Sequence, residues 1–324
     1  MIISRSPLRI TLGGGGTDLP SYYKQFDGMC ISACIDNYVY VSVHHTSFKE
    51  ALIRYSQIER VDDLSKIKHP IIREALKLVG ITDPNIEITS MADIPAGTGL
   101  GSSGSFTTAL LKALFRFRKK IISPQQLAEM ACHIELDILK EPIGKQDQYI
   151  AAFGGLTVFD FTTNDEVKVR PLNISEHTVY EMEDNLVMFS TGICRSASAV
   201  LKEQDTKSKA LDIDMINNLH YIKELGYRSL EALESGDLTK FGLLMNTHWE
   251  HKKKRSVNMS NPKIDELYEL GMKNGAIGGK LIGAGSGGLI MFYTENSKQL
   301  CKAFSNIGIN EVKIRFDYEG TKII

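Results

Sequence analysis

The chain has 324 residues, enough for two domains or one large one, and an apolar fraction of 43% that suits a globular protein with a sizeable core. Its 38 Lys plus Arg nearly balance 39 Asp plus Glu, for a formal net charge of -1, so no global charge points to nucleic acid or to an anionic membrane surface. The 5 cysteines (Cys30, Cys34, Cys132, Cys194 and Cys301) are odd in number and contain no CxxC pair, which argues against a disulfide framework or a structural zinc site.

The first residues, MIISRSPLRITLGGGG, hold no continuous apolar stretch before the arginines and glycines, and no later run reaches the length of a membrane span. A cytoplasmic protein with no membrane or nucleic-acid partner is expected. Residues 2–12 read as a short strand broken by Pro7. Gly13 to Gly16, followed by Thr17, Asp18 and Pro20, mark a loop where the backbone bends or lets a ligand approach closely. Tyr38 to His44 alternates valines with polar or aromatic residues, the pattern of a half-buried strand. Residues 69–79 suggest a helix, with Ile72, Ala75, Leu76 and Val79 on one face, and Ile86 to Ser90 a strand. After the loop Asp93 to Ser105, Phe106, Ala109, Leu110, Ala113 and Leu114 recur at helical spacing.

A further helix is predicted over about 124–140, with Ser123 as cap, Pro124 in the first position, and Leu127, Ala131, Ile134 and Ile138 as its apolar stripe; Pro142 and Gly144 end the pattern. Leu156 to Phe161 reads as a strand. The polar, turn-rich stretch 162–183 has no clear period and marks a domain change, giving domains 1–182 and 183–324. The second half begins with a strand at Leu186 to Thr191. Helical patterns follow over 212–235, from Asp237 to about His251, and after Asn261. Strands near 289–293 and 311–317 flank a short helix. With neither internal repeats nor low-complexity tracts, the chain reads as α+β rather than as repeated βαβ units.

The most informative segment is PAGTGLGSSGS, Pro95 to Ser105. Gly97, Gly99, Gly101 and Gly104 leave backbone N–H groups unobstructed, and successive N–H groups form an anion-binding concavity. A helix starting near Ser103 points its free N–H groups at the same anion, and Ser102, Ser103 and Ser105 add hydroxyls. The segment lacks GxxxxGK[ST] and is not GxGxxG opening a βαβ unit. The alternative is a plain glycine-serine turn.

Three ordered motifs resemble those of the GHMP kinases: SPLRITLGGGGTDLP (Ser6 to Pro20), PAGTGLGSSGS, and KLIGAGSGG (Lys280 to Gly288). The resemblance spans the whole chain. It implies a two-domain α+β fold, the N-terminal domain ribosomal-protein-like and the C-terminal one ferredoxin-like, with nucleotide and acceptor meeting between them. It makes Pro95, Gly97, Gly99, Leu100, Gly101, Ser102, Ser103, Gly104 and Ser105 the expected ATP contacts. Gly15 and Gly16 stand where galactokinases carry a Glu-His pair. The four-glycine form and Thr191 to Gln204 instead look most like the branch that phosphorylates D-glycero-D-manno-heptose 7-phosphate at its anomeric hydroxyl. An L-fucose-type 1-kinase is the alternative, and a non-catalytic sugar- and nucleotide-binding relative a more distant one. Oligomeric state is left open, a homodimer being one option.

Residue by residue, the resemblance makes Asp147 the group that orients or deprotonates the acceptor hydroxyl. Arg9 is placed near the transfer site. Ser103 and Glu135 are the expected Mg2+ ligands, with Asp137 and Glu141 as rivals for Glu135. Lys145 either meets a transferring phosphate or is a surface lysine. Gly14, Gly15, Gly16, Thr17, Asp18 and Gly285 are expected around the acceptor. For a phosphate already on the acceptor, Arg195 is the first candidate. The run Lys252, Lys253, Lys254 and Arg255, with His248 and His251 nearby, is the second, its alternative being a solvated helix end. Trp249 is open between core and a sugar-stacking face.

Overall fold

A computed structural model describes residues 1–193, 198–256 and 258–324. In chain order its elements are β1 (Ile2–Gly13), α1 (Pro20–Phe26), β2 (Gly28–His45), β3 (Ala51–Arg54), β4 (Ile58–Val61), α2 (Pro70–Val79), β5 (Ile86–Ala92), α3 (Ser102–Phe117), α4 (Pro124–Cys132), α5 (Gln146–Phe153), β6 (Leu156–Phe161), β7 (Val167–Pro171) and α6 (Glu176–Asn185). There follow β8 (Leu186–Ser190), α7 (Ser198–Lys209), α8 (Ile213–Ser235), α9 (Leu238–Lys253), α10 (Pro262–Lys273), β9 (Gly278–Leu281), β10 (Leu289–Tyr293), α11 (Ser297–Ser305) and β11 (Lys322–Ile323). No helix among the described residues is long and apolar enough to cross a membrane.

The larger sheet is organised on β2. One edge of this 18-residue strand pairs antiparallel with β1; on the other, its first half meets β6 and its second half β5. The full order is β11-β1-β2-β5-β3-β4, with β7 outside β6, and β3–β5 is its parallel pair. β1 does not break at Pro7. A register shift between Pro7 and Leu8 absorbs the missing N–H donor, as bulges do. Helix α3 packs its buried face, including Leu110 and Leu114, onto this sheet.

The smaller sheet has the order β8-β10-β9, and Glu311 adds an isolated antiparallel bridge to Phe189 on the free edge of β8. Counting that bridge as a fourth strand gives the order of a split βαββαβ, ferredoxin-like unit. Both faces of this sheet are buried. Met188 and Met291 join the core of the larger domain, while Phe189 and Phe292 face a second core with Trp249 and Phe304. One continuous apolar core therefore runs across the junction between the two halves.

Helix ends follow the local chemistry. Ser123 and Gln126 form a capping box at α4, Asp212, Asp237 and Asn261 cap α8, α9 and α10, and Gly236 ends α8 in the left-handed conformation. Other expectations are corrected. The helix predicted over 124–140 stops being α-helical at Cys132, and His133–Ile138 forms a π-helical turn with a hydrogen bond from Leu139 N to Ile134 O. The wider turn buries Glu135 and leaves Ile138 exposed, so the expected apolar stripe is interrupted. The stretch 162–183, where a domain change was expected, contains β7 and most of α6, and the expected 182/183 boundary falls inside that helix. β7 is an edge strand with one buried residue, and α6 buries only Thr178 and Met182, so neither carries a hydrophobic period. The chain end also returns to the first domain, where β11 pairs with β1. The strand expected at 311–317 is reduced to the Glu311 bridge and a second bridge from Phe316 to Ile35.

Candidate active site

The loop after β5 and the start of α3 frame a cleft of about 400 Å³ between the two sheets' connections. Gly101 serves as N-cap of α3 at φ 76°, and no side chain caps the helix. The first N–H groups of this 16-residue helix are therefore left for an anion. Gly97, Gly99, Gly101, Ser102, Ser103 and Gly104 all line the cleft. The loop that follows β9 closes the opposite side. A Cβ on Gly283 would lie 2.4 Å from Gly99 Cα, so these two loops touch backbone to backbone.

Asp147 is the second residue of α5 and faces this loop. Arg9, buried on β1, donates from Nε to Asp147 Oδ1 at 2.7 Å and from Nη1 to Gly99 O at 2.5 Å. One guanidinium thus fixes the carboxylate relative to the glycine-serine loop before α3. Glu135, brought inward by the π-turn, accepts from Ser103 Oγ and from Gln148 Nε2 at 3.1 Å. Burial raises the Glu135 carboxyl above its usual range, the neutral donors offset part of that, and the nearby Asp147 charge adds to it. A buried carboxylate with a hydroxyl beside it, next to a second carboxylate, is a donor set that a hard divalent cation such as Mg2+ would relieve. Among the described residues no three His, Cys, Asp or Glu gather, so its other ligands would be water and phosphate oxygens. The rivals do not compete equally: Asp137 pairs with His133 on the surface, whereas Glu141 reaches the cleft lining.

Asp18 sits across the cleft, nearly buried. Its Oδ1 accepts from Gly16 N at 3.1 Å and its Oδ2 from Gln146 N at 3.2 Å. Burial, then the Asp147 charge, push its carboxyl up. A Cβ on Gly144 would lie 1.8 Å from Asp18 Oδ2, so only glycine fits against it. Gln146 donates to Thr11 Oγ1 at 2.6 Å and Ser32 Oγ at 2.8 Å, which anchors the start of α5 to the sheet.

The remaining wall is cationic. Lys252 and Arg255 from the end of α9 and Lys280 from β9 are each more than nine-tenths buried. Lys252 Nζ donates to Leu281 O at 3.1 Å and to Gly283 O at 2.5 Å. Arg255 donates to Asn218 Oδ1 at 3.0 Å, Gln204 Oε1 at 3.4 Å and Gly15 O at 3.1 Å. Lys280 Nζ donates to Leu12 O at 2.8 Å. All these acceptors are neutral, and among the described residues none of the three cations has a carboxylate within ion-pair distance. Burial pulls the Lys280 ammonium down to about 7. Burial and the neighbouring cations Arg255, Lys280 and Arg9 hold Lys252 well below the usual lysine range. His248 lies beside them, buried, with neither ring nitrogen partnered.

Several expected site residues point elsewhere. Lys145 precedes α5 and turns to the far side, where Nζ donates to Asp165 Oδ1 at 2.6 Å and lines a separate hollow of about 630 Å³. Thr17 is wholly buried, its hydroxyl spent on Gly14 O, Met29 O and Met29 N. Gly14 packs on Met29, and Gly285 on Met259. Ser105 Oγ donates to Pro7 O at 2.7 Å, and Leu100 is a core residue whose carbonyl accepts from Arg9 N. Pro95 lies outside the cleft lining. Trp249 is fully buried in the second core and does not offer a stacking face. Arg195 lies outside the described residues. Of the two sources considered for a second anion patch, Lys252 and Arg255 therefore face the cleft, with His248. The i, i+4 spacing of His248 and Lys252 on α9, with Arg255 in the turn just past its end, was the available signal, and Lys280 was visible only as the first residue of its motif.

Comparison with known proteins agrees with this architecture. Residues 67–155 match the family described as GHMP kinases N terminal domain, and residues 229–310 match GHMP kinases C terminal. The chain is 28% identical, over 92% of its length and 91% of the relative's, to D-glycero-alpha-D-manno-heptose 7-phosphate kinase of Campylobacter jejuni subsp. jejuni serotype O:2. It is 27% identical to L-fucokinase/L-fucose-1-P guanylyltransferase of Bacteroides fragilis, over 90% of this chain and 34% of that longer protein. Among solved structures, a D-glycero-D-manno-heptose 1-phosphate kinase from Bacteroides thetaiotaomicron superposes with a TM-score of 0.83 at 26% identity, covering 100% of this chain and 99% of that one.

Proposed function

This chain belongs to the GHMP kinase family and is an ATP-dependent sugar kinase, and from that premise we propose that it transfers the ATP γ-phosphate to the anomeric hydroxyl of D-glycero-D-manno-heptose 7-phosphate, giving the 1,7-bisphosphate. The observation that carries the reading is the Arg9–Asp147 pair, at 2.7 Å, tied by the same guanidinium to Gly99 of the phosphate loop. It sets a proton acceptor beside the place where that loop and the N-terminus of α3 hold a triphosphate. The heptose comes from the names of two relatives that each cover nearly the whole chain.

In this mechanism Asp147 accepts the proton of the anomeric hydroxyl as its oxygen forms a bond to the γ-phosphorus, and the bond from that phosphorus to the bridging oxygen of ADP breaks. Arg9 keeps the carboxylate aimed and meets the charge developing on the transferred group. Asp18 reads sugar hydroxyls with its carboxyl, which the N–H groups of Gly16 and Gln146 hold in place. Ser103 and Glu135 would hold Mg2+, which neutralises phosphate charge when bound.

The test is ADP release with Mg2+ and a panel of sugars, followed by NMR of the product. Heptose 7-phosphate should give the highest kcat/KM and a new phosphate on the anomeric carbon. Rapid turnover of L-fucose without turnover of the heptose phosphate would overturn the substrate and favour the fucokinase-like alternative.

A further inference from the structure

Lys252, Arg255 and Lys280 present an electrostatic imbalance that the transfer chemistry does not use. Removing a cation from water costs several kcal/mol even after relaxation, and it is retained where a partner charge compensates it. Among the described residues, these three donate only to backbone carbonyls and to the amide oxygens of Asn218 and Gln204. Lys252 feels the repulsion of its neighbours, and Arg255 feels the Asp18 carboxylate, which stays beyond ion-pair distance. Lys252 is depressed by Arg255, Lys280 and Arg9, and His248 by all three cleft cations. The missing partner is an anion that enters the cleft.

Two anionic groups visit a kinase acting on a sugar phosphate: the nucleotide triphosphate and the phosphate already on the acceptor. The position of Arg255 separates them. The triphosphate has its own receptor at the N-terminus of α3, on the side of Gly97 to Gly104. Arg255 lies on the other side, against the glycine loop that carries Asp18. It donates to Gly15 O, and a Cβ on Gly16 would fall 2.3 Å from its Nη1. Three of its five N–H groups are engaged, and the rest are free to form a fork on a phosphate. His248 and Lys252 on α9 line the same cleft as Arg255 in the turn beyond that helix. Glycine at 16 leaves the guanidinium its place beside the acceptor.

We infer that Arg255, with Lys252, Lys280 and His248, forms the receptor for the acceptor's own phosphate and so selects phosphorylated sugars over their unphosphorylated counterparts. This rests on the acceptor being a sugar phosphate and names the residues that recognise it. Arg255 makes the geometric contact, Lys252 and Lys280 supply charge, and neutral His248 offers one donor and one acceptor.

The test compares heptose 7-phosphate with the same heptose lacking the phosphate, by ADP release, in the wild type and in Arg255→Gln, Arg255→Lys and Lys252→Met. Loss of a charge-assisted bond should lower the ratio of the two kcat/KM values about 10- to 100-fold in Arg255→Gln, chiefly through KM of the phosphorylated acceptor, and Lys252→Met should lower it in the same direction by less. Arg255→Lys should recover part of the ratio. KM for ATP should stay within about threefold of wild type, a span below the 1.4 kcal/mol of a tenfold change. An unchanged ratio, or a loss expressed in KM for ATP, would overturn the inference. A second measurement needs no variant: at saturating ATP, inorganic phosphate should inhibit the wild type competitively with the sugar phosphate. Inhibition that competes with ATP alone would place the cluster on the nucleotide. Should the wild type prefer a different phosphorylated sugar, the heptose reading fails while the receptor stands; should it prefer heptose 7-phosphate with the variants unaffected, the receptor fails while the heptose reading stands.

Discussion

Asp147 and Lys145 stand two positions apart at the start of α5, yet they face different solvent spaces. Asp147 is held by Arg9 in the cleft, and Lys145 is held by Asp165 outside it. Their substitutions should therefore separate. Asp147→Asn removes the proposed proton acceptor and should lower kcat by about 10²- to 10⁴-fold while leaving ATP binding intact, measured by ADP release and by nucleotide titration. Lys145→Met breaks a partly exposed ion pair worth about 0–1 kcal/mol and should leave turnover near wild type. A large loss of kcat in Lys145→Met would return that lysine to the transfer site. Both residues were named from one motif, but the direction of each side chain depends on the partners that wait for it. Asp165 is 20 residues downstream in sequence, and nothing near Lys145 announces it.

At the scale of elements, loops from distant parts of the chain meet through close backbone approach. Gly283 and Gly99 touch, and Gly283 also has φ 75°. Gly80, the cap of α2, has φ 74° with nothing within 4 Å of its missing Cβ. Gly80→Ala should cost only the left-handed strain of about 1–2 kcal/mol. Gly283→Ala adds a collision with the phosphate loop and should lower Tm further and raise KM for ATP, as a melting curve and an ATP titration would record. Equal Tm losses with unchanged KM would mean that the two loops move apart freely. Local rules carried far at this scale: caps at Ser123, Asp212, Asp237 and Asn261 and the stop at Gly236 follow from residue chemistry alone. They did not reveal the π-turn at His133–Ile138. Its extra residue is invisible to a 3.6-residue period, and the turn is held by packing against α2 and by the Ser103 and Gln148 bonds to Glu135.

At the scale of the whole molecule, the buried cations set function against stability. Native Lys280 releases its proton at about 7, against 10.5 for the ordinary side chain. Between those values the unfolded chain binds more protons than the native one, so stability from this group rises with pH, by up to about 1.4 kcal/mol per pH unit. Lys280→Met lacks that slope. In urea unfolding without ligand, the variant should be at least as stable as wild type near pH 7, and its advantage should shrink toward pH 9 while its turnover is low. An advantage that does not change with pH would mean that Lys280 keeps its proton in the native state.

The sequence by itself determined the glycine-serine loop before α3, the glycine loop with Asp18, the order of the three motifs and most helix ends. Each depends on residues within a few positions of one another. Only the tertiary structure decided that β7 and α6 form in the stretch 162–183, that Glu135 is buried, that Lys145 and Thr17 turn away, and that Lys252, Arg255 and Lys280 converge. Those outcomes depend on long-range pairing along β1 and β2 and on the direction of side chains across the cleft. A basic run at a helix end is solvated unless another surface covers it. Here β9 and the Gly13 to Gly16 loop cover Lys252 and Arg255 from that run, and Lys280 joins them without a carboxylate at ion-pair distance among the described residues.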